Sequence, residues 1–322
     1  MASLYSSRAI AGALALCLAA PLSAAAADIA LTVGKANATS DAIIPVNVGD
    51  KLGFFKKRGL DLTITDFGGG GKMAQAMAAG AIDIGDGAGT EMAFVAKGAP
   101  MLTVCESTTN APFLGIGVPW DSPVKTLADL KGKVIGVSSP GSFSDWSGHE
   151  LARSQGWGDN GVKTVGIGGG TGPALAALRM HLVDAVIGNA TQFFVYEETK
   201  EGRFIAPVSS YEGNVASGAL FASNRLIASN PDAIRAFIAG WLETVAYMRT
   251  HKAETVRIES ELNHFNESVM SREYDLVIGM YTKDCRFDAE SLATLKRSFG
   301  EMKLIEGEPD MSKLYTEEYL PK

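Results

Sequence analysis

The chain has 322 residues, 46% of them hydrophobic, with 29 basic against 36 acidic side chains and a formal net charge of −7. That length is enough for two lobes of ordinary size. The acidic balance gives no footprint for DNA, RNA or an anionic membrane, although local backbone dipoles can hold a small anion inside an acidic protein.

Arg8, the apolar run Ala9–Ala20, Pro21 and the small residues Ala24–Ala27 have the form of a secretory signal. A run of about 12 apolar residues is too short to span a bilayer. Leu16 stands before Cys17, where a lipoprotein signal needs a small residue. A signal peptide is therefore expected over 1–27, cleaved near Ala27, with a periplasmic product starting near Asp28. Cys105 and Cys285 remain in that product. An oxidising compartment permits a disulfide between them, and two separate buried thiols fit the sequence as well.

Ile29–Lys35 reads as a strand, and Asn37–Asp41 as a polar loop that can cap a helix. The helix ends at Phe54–Gly59, where three basic residues suit its negative end and Gly59 a left-handed stop. Leu60–Thr65 alternates as a strand. Helix and strand then take turns: Gly71–Ala79, Ala81–Gly85, Thr90–Lys97, Met101–Cys105. Such alternation predicts a mostly parallel sheet with helices on both faces.

Phe113–Val118 has the look of a crossing strand into a second lobe. There follow a short helix at Leu127–Gly132, a strand at Lys133–Val137, a helix at Ser142–Gln155 and a strand at Val162–Ile167. Next come a helix at Pro173–Met180, a strand at Val183–Gly188, a helix at Gln192–Lys200 and a strand at Phe204–Val208. Gly218–Ala222 reads as the return crossing. Asn230 and Pro231 open a long amphipathic helix carrying Ile234, Phe237, Ile238, Trp241, Leu242 and Val245. The tail is expected to be largely helical, with turns near Asn263 and Gly307.

One pattern occurs twice. Gly68–Gly71, an Ala-rich helix and Ile82-Asp83-Ile84 are echoed by Gly168–Gly172, a second Ala-rich helix and Val183-Asp184-Ala185. The repeat implies two similar α/β lobes with something held between them. Asp83 and Asp184 are expected to satisfy backbone donors nearby.

Three segments carry a family likeness. Leu52–Leu62, with Gly53-Phe54-Phe55 and Gly59-Leu60-Asp61-Leu62, is similar to a segment of ABC-transporter solute-binding proteins of the nitrate, sulfonate and taurine (NitT/TauT, THI5-like) class, relatives of the pyrimidine-precursor binders. Ala79–Gly85 and Leu127–Val137 resemble two further segments of that class, and the likeness runs across most of the mature chain in order. It implies a type II periplasmic binding fold, an α/β protein of two lobes with a ligand cleft. Lobe I would be discontinuous (28–110 and 221–322) and lobe II inserted (111–220). It also implies hinge closure over a small-molecule ligand and transient docking of a monomer to an ABC permease with its ATPase. The chain lacks the Cys-rich segment of the enzymes that make the pyrimidine precursor, which disfavours that catalytic branch.

Ligands of open α/β sheets bind beyond the carboxyl ends of the strands. The loops there are rich in Gly, Ser, Thr and Asn, which allow close backbone approach and offer adaptable donors. The expected ligand-binding residues are Ser40, Asp41, Gly70, Gly71, Gly89, Thr90, Ser138, Ser139, Ser142, Thr171 and Asn189. Ser142 could equally be a plain helix cap. Phe143 and Trp146 are candidates for a cleft wall, or for core. Lys72 is expected to be exposed on the first helical turn. Helix N-termini behind the loops favour carboxylate, sulfonate or nitrate, whereas Asp41, Asp86 and Asp145 could hold an amine.

Enzyme signatures are missing. Met73 follows Gly71-Lys72 where a phosphate-binding loop needs Ser or Thr, and Gly166–Thr171 lacks the third glycine of a dinucleotide loop. There is no G-x-S-x-G elbow, and the four histidines have no zinc-ligand spacing. The sequence thus predicts a receptor without catalytic residues, metal or cofactor and with no nucleic-acid partner. Its ligand would be a small organic or inorganic anion. An aromatic acid, a pyrimidine precursor, a different transporter class or a sensor partner are the alternatives, and a periplasmic enzyme ranks below them.

Overall fold

In a computed structural model the protein is described over residues 28–36, 43–67, 69–158 and 160–322. The expected signal segment and the loop bearing Ser40 and Asp41 lie outside the described residues.

Among the described residues ten strands form two sheets: β1 (Ile29–Lys35), β2 (Leu60–Asp66), β3 (Ile84–Gly87), β4 (Met101–Thr108), β5 (Leu114–Pro119), β6 (Val134–Val137), β7 (Lys163–Gly166), β8 (Ala185–Asn189), β9 (Gly202–Pro207) and β10 (Gly218–Ser223). The first sheet runs β2-β1-β3-β10-β4 and the second β7-β6-β8-β5-β9. These are one pattern used twice. Each sheet has a parallel set, β2-β1-β3 or β7-β6-β8, and then one antiparallel strand, β10 or β5. The sheets are therefore mixed where alternation alone predicted mostly parallel. The reversed strand in each is the one the chain enters on after crossing from the other lobe. The expected lobe change at 220/221 falls inside β10.

Among the described residues twelve helices cover the sheets: α1 (Ile44–Lys51), α2 (Gly70–Ala78), α3 (Met92–Ala96), α4 (Phe143–Ser154), α5 (Thr171–Arg179), α6 (Ala190–Glu198), α7 (Ser209–Glu212), α8 (Asn224–Ser229), α9 (Pro231–Met248), α10 (Lys252–Asn263), α11 (Glu267–Val277) and α12 (Ala289–Glu301). The start of α9 is as its sequence implies: the Asn230 side chain accepts from the Ala233 N–H, with Pro231 in the first turn. Ile234, Phe237, Ile238 and Trp241 are fully buried, each contributing roughly 1.5–3 kcal/mol. Phe55 stacks on Phe237 at 4.9 Å between ring centroids. Gly49 and Gly240 make room for that ring, since a Cβ on either would come within 2.8 Å of it.

Strand starts are fixed by the repeated aspartates. Asp83 accepts from the Thr32 N–H at 3.0 Å and Asp184 from the Val134 N–H at 2.9 Å. Asp83 also pairs with Arg225 and Asp184 with Lys133. Because Asp83 belongs to this turn, β3 begins at Ile84 rather than at Ala81. Gly59 is left-handed at φ 72°, as expected. The segment expected as one helix from Thr90 is a 3-10 turn, Gly89–Glu91, running into α3.

The two crossings lie side by side. The Thr108 and Ser217 hydroxyls are 2.6 Å apart, and the Val215 N–H donates to the Thr109 carbonyl. The tail returns to β4: Cys105 and Cys285, both buried, form a disulfide, which decides between the two sequence alternatives. Beside it the Glu106 carboxylate accepts from the Asp288 N–H and the Ser291 hydroxyl at the start of α12.

Candidate functional site: a cleft between two sheets

A cavity of about 690 Å³ lies between the lobes, at the carboxyl ends of the parallel strands. The first lobe contributes the loops after β2 and β3, and the second those after β6, β7 and β8. The repeat read in the sequence thus supplies one Gly-rich loop from each side.

Among the described residues, four helices that follow the loops after β2, β6, β7 and β8 present their N-termini here. These are α2, α4, α5 and α6, through Gly69–Gly71, Ser142–Ser144, Gly170–Thr171 and Asn189–Gln192. Gly69 (φ 129°) and Gly170 (φ 96°) are the N-caps of α2 and α5, in backbone conformations that side-chain-bearing residues rarely adopt. Neither helix has a side-chain cap. Uncapped first-turn N–H groups and the positive ends of the helices favour negative charge at this position.

Of the residues expected to bind ligand, Gly70, Gly71, Thr90, Ser138, Ser139, Ser142, Thr171 and Asn189 line the cavity. Ser138 and Ser142 are joined through Ser144, whose hydroxyl is 3.0 Å from each of theirs. Ser142 also caps α4, accepting from the Asp145 N–H. Gly89 does not line the cavity. It packs on the chain at Ala216, whose carbonyl a Cβ would strike, so its smallness serves the crossing. Ser40 and Asp41 lie outside the described residues.

Phe143 lines the cavity, but Trp146 does not. Trp146 is buried, with its indole N–H donating to Glu301 at 2.6 Å and the Arg297 guanidinium 5.6 Å from its ring. Of the two helix-spaced aromatics, one walls the cleft and the other is core. Lys72 is exposed, as expected. Asp145 is taken up by the Gly141 N–H at 2.7 Å. Asp86 is fully buried outside the lining and has no hydrogen-bond partner among the described residues. Burial pushes its carboxyl well above the usual range.

Several lining residues went unread. Thr191 is 5% exposed, and its hydroxyl has no hydrogen-bond partner among the described residues. Gln192 beside it is buried. Glu91 is 6% exposed. Burial pushes its carboxyl up to about 7, against the opposing effect of N–H groups in its own turn and the Thr90 hydroxyl. A charged residue inside the run Gly87-Ala88-Gly89-Thr90-Glu91-Met92 was the available signal. Phe94, Phe113 and Phe265 add apolar wall. Phe265 comes from the α10–α11 turn, a long-range contact with no local signature.

Among the described residues no group of three or more His, Cys, Asp or Glu could hold a metal ion, and no helix is long and apolar enough to cross a membrane.

The family model described as NMT1/THI5 like matches residues 41–255. No curated protein sequence matches the chain. Solved structures with the same fold include the periplasmic aliphatic sulphonate binding protein SsuA from Escherichia coli, with 19% identity, a TM-score of 0.73 and coverage of 89% of this chain and 92% of that one. The alkanesulfonate-binding protein SsuA from Xanthomonas axonopodis pv. citri, bound to MOPS, is 18% identical with a TM-score of 0.72 and coverage of 91% and 99%. The desulfurization enzyme DSZB is also similar, at 14% identity, a TM-score of 0.63 and coverage of 89% and 97%. At these identities the likeness establishes the fold: two α/β lobes of the periplasmic binding type.

Proposed function

The chain belongs to the NMT1/THI5-like family, and on that premise we propose that it is the substrate-binding receptor of an ABC importer, working in the periplasm. The leader 1–27 would be removed near Ala27. The mature monomer, with lobe I from 28–110 and 221–322 and lobe II from 111–220, would close on a small solute and dock transiently on a permease served by its ATPase.

The observation that carries this reading is the convergence of four helix N-termini on one interlobe cavity. Such a site holds an anionic head without a counter-ion of the protein's own. The lining is backbone and hydroxyl, with Ser138, Ser142, Ser144, Thr171 and Thr191 as adaptable donors. Both ends of the cleft belong to parts of the chain joined by paired crossings, so ligand contacts with both lobes favour the closed arrangement by their difference in affinity. The sulfonate-binding relatives support an anion, and DSZB shows that the fold also carries catalysis. Among the described residues the cavity lining carries no histidine or cysteine.

The volume narrows the class. About 690 Å³ is the size of pockets for organic ligands and far exceeds what nitrate fills. Phe94, Phe113, Phe143 and Phe265 offer apolar wall to the body of such a ligand. An organic sulfonate or carboxylate therefore fits better than an inorganic ion, and an aromatic acid or pyrimidine precursor is the second reading, favoured by those four rings.

A thermal-shift screen of refolded, ligand-stripped protein against sulfonates, carboxylates, aromatic acids, amines, pyrimidines and nitrate tests the proposal. A ligand at 100 times its Kd adds about 2.7 kcal/mol. A shift with one class, and no consumption of the compound, is the expected result. Turnover of the bound compound would replace the receptor with an enzyme.

A further inference from the structure

We propose that Glu91 accepts a protonated nitrogen on the ligand, so that the captured solute carries a cationic amine or similar group at one end and its anionic head at the other. The inference rests on the receptor reading above and assigns the opposite end of the same ligand.

Glu91 and Lys97 are the two charged side chains in the cavity lining among the described residues. Lys97 is exposed at its rim, whereas Glu91 is buried. Glu91 makes no salt bridge among the described residues. Its carboxyl occupies a recess made by absent side chains. A Cβ on Gly70 would collide with it, and one on Gly87 would sit 3.5 Å from its Cδ. A carboxyl so placed, against the N-terminus of α2 but without a fixed cation, remains open to a cation on what enters. The helix N-termini of α5 and α6, with the unpartnered Thr191 hydroxyl, lie on the other lobe and take the anionic head. A dipolar ligand would thus touch each lobe with a different charge, and either end alone would leave one lobe unmatched.

The charged surroundings of Glu91 are few. Burial and the neighbouring Glu91 both raise the cost of ionising Asp86 on β3, and Lys35 on β1 is held by Asp66 at 2.9 Å. Lys72 on α2 and Lys97 after α3 are exposed. From α12, Leu295 packs close to this turn at Gly89. The charged residues of α12 are engaged elsewhere or exposed: Lys296 with Glu308, Arg297 with Glu150 and Glu301, Glu301 with Arg153, and Glu290 at the surface.

The sign of the pH dependence follows. In the free protein Glu91 is half protonated near pH 7. A cation beside it favours the carboxylate, so binding expels a proton and affinity rises with pH between about 6 and about 8. An anionic or purely accepting group beside it would make affinity fall over the same range.

The experiment is isothermal calorimetry of the whole mature protein between about pH 6 and about pH 8, in buffers of different ionisation enthalpy. The probes are matched pairs: 3-aminopropanesulfonate with propanesulfonate, 4-aminobutyrate with butyrate, and 4-(aminomethyl)benzoate with 4-methylbenzoate. In at least one pair the aminated member should bind about tenfold tighter, release protons, and gain affinity with pH. Glu91→Gln should erase the preference of the aminated over the plain member of the pair, and the pH slope with it. Equal or tighter binding of the plain acids, or affinity that falls with pH, overturns the proposal. The proton count comes from the unmodified protein, so a poorly folding variant does not spare it. If no anion of either kind binds, the receptor reading fails, and with it the assignment of Glu91.

Discussion

The Thr191 hydroxyl is buried beside the cavity and has no partner among the described residues, so it is a donor kept in reserve. Removing it should leave the fold alone: Thr191→Val is expected to unfold within about 0.5 kcal/mol of the native protein, or slightly later, because an unpartnered polar atom is lost. The same change should weaken ligand binding by about 1 kcal/mol, read by titration once a ligand is in hand. Other residues show what a sequence can say at this scale. Asp83 and Asp184 were legible as backbone acceptors because the repeat puts each at the start of a strand, where an N–H from the neighbouring strand is within reach. Gly89 packs on the crossing and not in the cleft because its partner Ala216 is remote in sequence, and the choice of core over wall for Trp146 is settled by the equally remote Glu301. The burial of Glu91 was hidden for a similar reason: it depends on Gly70, contributed by the loop after β2.

Helix pairs tie the second lobe to the tail of the first. On one side α4 meets α12: Arg297 and Arg153 both bind Glu150, Arg153 reaches Glu301 at 2.9 Å, and the Trp146 indole donates to Glu301. On the other side α6 meets α11: Arg272 pairs with Glu197 at 2.6 Å and lies 4.1 Å over the Phe194 ring, and Asn266 donates to Glu198. Arg297→Gln removes a partner from the nearly buried Glu150 carboxylate. It should cost about 1–3 kcal/mol in urea unfolding and enlarge the ligand-free particle in X-ray scattering. The Cys105–Cys285 bond holds the base of this tail on β4 across 180 residues of sequence. Replacing both cysteines by Ala should cost about 2–5 kcal/mol, checked by urea titration with and without reductant. The two crossing strands were readable as elements because each is short, apolar and flanked by turns. Their reversed direction was not, since it depends on which sheet receives them.

Across the molecule several carboxyls stay protonated where the unfolded chain has already released its protons. Burial raises Glu91 and Glu106 from 4.5 to about 7, and Glu212 to about 8. Between those limits the folded state binds more protons than the unfolded state, so stability falls as pH rises. Urea midpoints should therefore be higher near pH 5.5 than near pH 8, and Glu212→Gln should flatten the upper part of that slope. A protein without these groups would show the same midpoint at both. The two-lobe plan itself was legible because the Gly-rich repeat and the crossings recur in order. The cleft's full lining was not, because it is assembled from loops that meet only when both sheets are in place.

Strand β10 lies between β3 and β4, so the first sheet stays divided until residues 218–223 have been added to it. The second sheet draws every strand from one continuous stretch, 114–207. As the polypeptide is synthesised, the later lobe is therefore the first whose sheet can be completed, while the opening hundred residues wait with β4 unpaired. Spatial order becomes temporal order. A long-range closure of this kind is slow, so the lobe that holds the start of the chain is the last to gain a complete sheet.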